Sequence, residues 1–322
     1  MAGKELPKIR AGMGDVEAPT VEAWSDDDYR RATGLGTILS SDGRAERAGV
    51  PALAPAALRD CYRTMLRVRA LDDLMTGDGT AADGDSDATP SSRGCEAAIV
   101  GAVAALEADD IVVPGRREQG AALWRGHSIA SFSAGVAVPR ALGVLPGSRH
   151  AATQLPHATG IAWAMKIQAK SRKIAAGTGP VVLAFLDREA TSAEDFHSGV
   201  NFAGVFRVPV VFVCINGGRA TSAAETVSET LAVKALAYGI AGARVDGSDL
   251  FAVWTATRAA AARARRGDGA TLIEAVVAED SDPLDRVKRW LAGEKILDAA
   301  AERTLSLEVE SELDLPAGTH KP

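Results

Sequence analysis

The sequence predicts an α/β protein built on parallel strands with helices between them, and three observations carry that reading. Val181–Leu186 and Val208–Cys214 are apolar runs of strand length, and Phe196–Phe206 between them has helix-compatible apolar spacing. Strand, helix and strand in that order make a right-handed βαβ unit, whose ligand crevice lies beyond the carboxyl ends of the strands. A further helix and strand follow, Asp249–Arg266 and Thr271–Val277. With 322 residues, 47% apolar and 24% charged, the chain can bury a sizeable core.

The totals also exclude some classes. A formal net charge of −6 gives no electrostatic reason to expect nucleic-acid binding. No apolar run approaches the roughly 18 residues of a membrane span, and the start of the chain lacks an apolar signal region. Cys61, Cys95 and Cys214 are odd in number and at no metal-ligand spacing. They read as free thiols in a reducing compartment, so the cytoplasm is the expected location.

In chain order, residues 1–54 carry Pro7, Pro19, Pro51 and the acidic triplet Asp26–Asp28, and read as an extended arm ordered only where it lies on the body or a partner. Residues 55–299 form the folded domain. Pro55–Asp73 is helical, with Leu58, Cys61, Tyr62, Met65 and Val68 on one broad face. Thr76–Ser92 is a Gly- and Asp-rich loop, followed by a small-residue helix that Glu96 opens. Thr153–Ala169 is a helix whose Ala158, Gly160, Ala162 and Ala164 permit close approach, with His157 as a capping or core residue. Ser192 and Asp195 have capping-box spacing for the helix after them. Leu231–Ile240 reads as helix and Ala243–Asp246 as a short strand. Ser248 is placed to cap the helix Asp249–Arg266, which Gly267 closes. Leu284–Leu291 is a last helix, and residues 300–322 are expected to fray.

Several motifs agree in order and spacing with one family. Tyr62-Arg63-Thr64-Met65, Gly94-Cys95-Glu96-Ala97, the Asp109–Gly126 segment with Arg117, and Thr153-Gln154-Leu155-Pro156-His157-Ala158 are four of them. Ala190-Thr191-Ser192 with Asp195-Phe196-His197, and Val245-Asp246-Gly247 leading to Thr271-Leu272-Ile273-Glu274, complete the set. From Pro55 to Leu297 the chain resembles the alpha subunit of the decarboxylating component of 2-oxoacid dehydrogenases, of pyruvate or branched-chain type. The resemblance implies a three-layer thiamine-diphosphate-binding fold, a mostly parallel sheet with helices on both faces. It also implies thiamine diphosphate and magnesium as cofactors, and a beta subunit as partner in an α2β2 assembly packed through helices such as Thr153–Ala169.

At the cofactor loop the residues depart from the family. The resemblance places the metal-binding aspartate and asparagine at Arg188 and Gly217, and two glycines at Asp187 and Glu189. Asp187 and Asn216 stand one residue early, which in an extended chain aims a side chain at the opposite face. The histidine loop is also cut short, since no histidine lies between His197 and His320. No catalytic and no metal-ligating residue is therefore expected. Arg117 matches the family's diphosphate arginine, while Arg116 and Arg219 replace tyrosines. The arginines either fill the vacated pocket, with Arg188 near the old metal position beside a carboxylate, or point to solvent. In a third arrangement, Arg117 with Arg188 or Arg219 holds another phosphate-bearing ligand without metal. The expectation is a degenerate alpha-like subunit that serves a beta-like chain as a structural or regulatory partner. The alternative is an active dehydrogenase alpha subunit with an altered metal loop.

Overall fold

The computed structural model describes residues 25–45, 49–76, 90–148, 150–217 and 226–313. Its elements run α1 (Asp26–Thr33), α2 (Pro55–Thr76), α3 (Glu96–Ala104), β1 (Ile111–Val113), α4 (Gly120–Trp124), α5 (Ile129–Ser133), α6 (Gln154–Ser171) and β2 (Val182–Asp187). They continue with α7 (Glu194–Phe206), β3 (Val210–Gly217), α8 (Lys234–Ala237), β4 (Ala241–Asp246), α9 (Leu250–Arg266), β5 (Thr271–Val277), α10 (Pro283–Gly293) and α11 (Ala299–Leu313). The strands form one all-parallel sheet in the order β1-β2-β3-β5-β4.

Strand alternation divides the core. Phe185, Val213 and Ile273 point to one face and pack with α2, α3 and α9. Leu186, Phe212 and Leu272 point to the other, against α6 and α7. Both faces of the central strands are covered, so their sequences are continuously apolar, as in other buried parallel sheets. The result is the three-layer α/β fold expected from the sequence. On the first face α3 is buried at every position from Glu96 to Val103. A Cβ at Gly101 would meet the Leu250 carbonyl oxygen at 2.9 Å, so only glycine lets α3 lie this close to α9. Buried Glu96 is matched by Arg69 at 2.8 Å, which also holds Asp282.

The N-terminal arm lies on the body where it is described. Ser25 and Asp28 make a capping box on α1. Gly36 then donates to the Arg244 carbonyl and accepts from Asp246 N–H, both at 2.9 Å, which covers the free edge of β4.

Several local expectations need correction. The tail does not fray at residue 300: α11 is helical to Leu313 and docks through buried Val309 and the Arg67–Glu312 pair at 2.7 Å. Asp249, not Ser248, caps α9, its carboxylate accepting from Phe251 N–H and Ala252 N–H. Ser192 belongs to a 3-10 turn, so Ala193 is the N-cap of α7 and offers no side-chain cap. Helix in the 231–240 region is confined to α8. His157 sits on the exposed side of α6. Most of the Thr76–Ser92 loop lies outside the described residues. Among the described residues, no helix is long and apolar enough to cross a membrane.

Candidate functional site

β2 and β3 lie side by side, and their carboxyl ends, Asp187 and Gly217, reach the same edge of the sheet, where folds of this kind bind ligands. Asp187 follows Leu186 and therefore shares the face of Phe185, toward α2 and α3. The loop from β1 to α4 brings Arg117 to that face. Arg117 Nε stands 2.8 Å from Asp187 Oδ1, with side chains 13% and 8% exposed. The two atoms meet as an ion pair without the alignment of a hydrogen bond. The loop itself is anchored, because Ser92 Oγ donates to the Arg117 carbonyl at 2.6 Å.

Beside the pair lies a second buried carboxyl, Glu118. Its Oε2 accepts from Gly115 N–H at 2.8 Å, while Oε1 is buried without a hydrogen bond. Burial, reinforced by the charge of Asp187, pushes the Glu118 carboxyl up to about 8. Burial raises Asp187 too, against the pull of Arg117. One guanidinium neutralises one carboxylate, so Asp187 carries the charge and Glu118 keeps its proton longer. Burial also lifts the nearby Cys95 thiol to about 12, so it is no nucleophile at neutral pH.

On the opposite face Asn216 shares the side of Cys214. Its Nδ2 donates to Glu274 Oε1 at 2.7 Å. Glu274 Oε2 in turn accepts from Leu231 N–H and Ala232 N–H at 2.9 and 3.0 Å. Next to Asn216, Gly217 presses on β5: a Cβ there would stand 2.3 Å from Val277 Cβ and 2.7 Å from its carbonyl oxygen. Beyond β2, Lys234 Nζ donates to Thr191 Oγ1 at 3.0 Å and lies over the Phe196 ring.

The profile of the dehydrogenase E1 component family matches residues 62–278 of this chain. The chain belongs to that family. It is 33% identical over 258 residues to the 2-oxoisovalerate dehydrogenase subunit alpha 1, mitochondrial, of Arabidopsis thaliana, covering 74% of this chain and 52% of the plant protein. It is 34% identical to the 2-oxoisovalerate dehydrogenase subunit alpha of Bacillus subtilis, over 67% of this chain and 69% of that one. The 3-methyl-2-oxobutanoate dehydrogenase subunit alpha of Mycobacterium tuberculosis is 36% identical, over 74% of this chain and 66% of its own length. The chain thus spans about half the length of the plant relative and about two thirds of the bacterial ones.

Within this E1 framework the strand-end residues do not fit a magnesium ion clamped on a diphosphate. Magnesium needs oxygen donors converging in near-octahedral geometry. The side-chain oxygens nearest the family positions diverge: Asp187 faces Arg117, and Asn216 faces Glu274 across the sheet. Position 217 has no room for a side chain. Of the expected site arginines, the structure brings Arg117 and Arg188 to the same strand end. Arg188 is the half-buried residue after β2, its carbonyl accepting from Thr191 N–H at 3.0 Å. The ion pair with Asp187 described above is made by Arg117. Arg219 lies outside the described residues. Glu118, Glu274 and Lys234 are site residues that sequence reasoning missed. Glu274 carried a signal, as a lone carboxylate in the apolar run Thr271–Val277 needs buried donors.

Proposed function

We propose that this chain is an alpha-like subunit of a 2-oxoacid dehydrogenase E1 component that has kept the scaffold and lost the cofactor clamp. It serves a beta-like chain as a structural or regulatory partner in an α2β2 assembly, and contributes no catalytic residue of its own. The observation that carries this reading is the divergence of Asp187 and Asn216 to opposite faces of the sheet, each with its own partner. For the thiamine diphosphate and magnesium expected from the family resemblance, the Asp187 and Asn216 side-chain oxygens form no converging set among the described residues.

Assembly is supported by an apolar surface on the α6–α7 layer. Ile167, Phe202 and Val205 are 53%, 50% and 40% exposed, and Phe202 stacks on Phe206, which stacks on Trp163. The three buried cysteines are free thiols, which suits a reducing compartment such as the cytoplasm.

The active alternative draws on the retained Arg117 and on relatives named as dehydrogenase subunits. The test is co-expression with a beta-like chain, native mass spectrometry, and a 2-oxoacid decarboxylation assay with an artificial electron acceptor. The expected result is a heterotetramer without turnover. Turnover that depends on added thiamine diphosphate and magnesium establishes the alternative instead.

A further inference from the structure

We propose that the Asp187 carboxylate is a built-in anion for Arg117, occupying from within the guanidinium that would otherwise receive a phosphate-bearing ligand at the end of β2. The inference rests on the reading of a lost cofactor clamp and says what took its place.

Position and charge carry the argument. The crevice beyond the carboxyl ends of parallel strands is where such folds bind ligands, and Arg117 is delivered there by an anchored loop. Its guanidinium is the donor best shaped for a phosphate or a carboxylate. In this chain the carboxylate comes from the last residue of β2 and is almost wholly buried. Asp187 lies against Arg117, the charge of Asp187 acts on Glu118, and Glu189 on the following turn acts on Asp187, so a diphosphate brought to Arg117 enters a site already rich in carboxyls. Arg116 is the other cation that acts on Asp187. Arg117 is already matched by the Asp187 carboxylate, so an added anion has to compete with that buried charge for the same guanidinium. An ordinary structural ion pair makes a different prediction from a built-in anion. Removing the carboxylate of a structural pair only destabilises the fold, whereas removing a built-in anion opens a site for a free one.

The experiment uses the full chain, with inorganic pyrophosphate as probe, no metal, and fixed ionic strength. Wild type, Asp187→Ala, Asp187→Asn and the double variant Asp187→Ala/Arg117→Ala are titrated by calorimetry. Both single variants are expected to bind pyrophosphate at least tenfold more tightly than wild type, and the double variant is expected to lose the gain. Folded single variants that gain nothing overturn the proposal. So does wild-type binding as tight as theirs that disappears in Arg117→Ala. If the single variants do not fold in buffer, they are refolded with and without pyrophosphate. Recovery only with the anion supports the proposal, and no recovery overturns it. The underlying reading fails separately: magnesium-dependent thiamine diphosphate binding to wild type that survives Arg117→Ala overturns the lost clamp and leaves the role of Asp187 standing.

Discussion

Asp187 and Asn216 end neighbouring strands of one sheet, yet Asp187 meets Arg117 on one face and Asn216 meets Glu274 on the other. Strand alternation makes this unavoidable: the paired partner of Asp187 is Ile215, so Asn216 falls on the opposite side. Restoring a metal site by mutation therefore has to change the backbone as well as the residues. Arg188→Asp with Gly217→Asn returns both family side chains but is expected to yield no magnesium-dependent binding of thiamine diphosphate.

The obstacle at Gly217 can be measured alone. Gly217→Ala is expected to cost about 1–3 kcal/mol, the range for overpacking a closed site, in urea denaturation. Val277→Ala should not rescue it, because the Val277 carbonyl oxygen and Cα also stand within 3.0 Å of the new methyl position. A rescue would place the conflict in the valine side chain and make the site re-engineerable.

The second carboxyl beside Arg117 predicts a pH dependence. Glu118 titrates near 8 in the folded chain against an ordinary 4.5. The folded state then binds more protons than the unfolded state between those values, so stability falls as pH rises through that window and levels off above it. Asp187, also raised, acts in the same direction. Glu118→Gln keeps an acceptor for Gly115 N–H and removes the ionisation. It is expected to gain on the order of 2 kcal/mol at pH 9, at about 1.4 kcal/mol per pKa unit with relaxation taking part of the effect, and little at pH 5. Parallel profiles for wild type and variant between pH 5 and 9 contradict the assignment.

The last helix is held by charge. Arg67 Nε and Nη2 grip Glu312 at 2.7 Å each, while its remaining donors bind the carbonyls of Leu123 and His127 at 2.8 Å. Ile129 N–H also donates to Glu312. Burial pushes the Glu312 carboxyl up, but the bond and charge of Arg67, the Ile129 N–H and the charge of Arg63 together pull it further down, and the net value lies below the ordinary one. Its contribution is thus complete above the usual glutamate range and lost as pH falls through the folded value. Glu312→Ala is expected to cost about 1–3 kcal/mol, as for removing one partner of a charged hydrogen bond, and to release α11 to protease at neutral pH. An unchanged digestion pattern contradicts a role for this carboxylate in docking.

Elements with strong periodicity were legible in the sequence. Thr271–Val277 is a strand over the same residues, and the end of α9 at Gly267 follows from a left-handed position, φ 86°, that suits glycine. The misplaced cap at Ser248 shows the limit of local reading. Asp249 is the better acceptor here because its second oxygen also serves the arm, a contact 210 residues away in sequence. The site was legible only as a departure from a motif. That Asp187 stands one place early follows from the sequence, but that it would meet Arg117, and that Asn216 would meet Glu274, depends on strand register and on a loop between β1 and α4. Those partners lie 70 and 58 residues apart, where no periodicity reaches.

The Asp249 contact gives the most direct test of how the arm is attached. Its Oδ2 accepts from Ile38 N–H and Leu39 N–H, both at 2.6 Å, and its Oδ1 accepts from Phe251 N–H and Ala252 N–H at 2.9 and 3.1 Å. Arg286 backs this arrangement, bonding the Ser40 carbonyl at 3.0 Å, Asp246 at 2.8 Å and the Leu39 carbonyl. Removing the carboxylate leaves four amides short of a partner, two buried ones at the start of α9 and two in the arm, of which Leu39 is buried and Ile38 partly buried. Asp249→Ala is expected to cost about 3 kcal/mol, roughly one for the cap and the rest for the arm donors. Asp249→Ser separates the two, since a serine oxygen can still cap α9 but is too short to reach Ile38 and Leu39. In hydrogen exchange, both variants are expected to expose the amides of Ile38 and Leu39, while only Asp249→Ala also loosens Phe251 and Ala252. Equal protection of all four amides in Asp249→Ser and wild type means that Arg286, rather than Asp249, pins the arm.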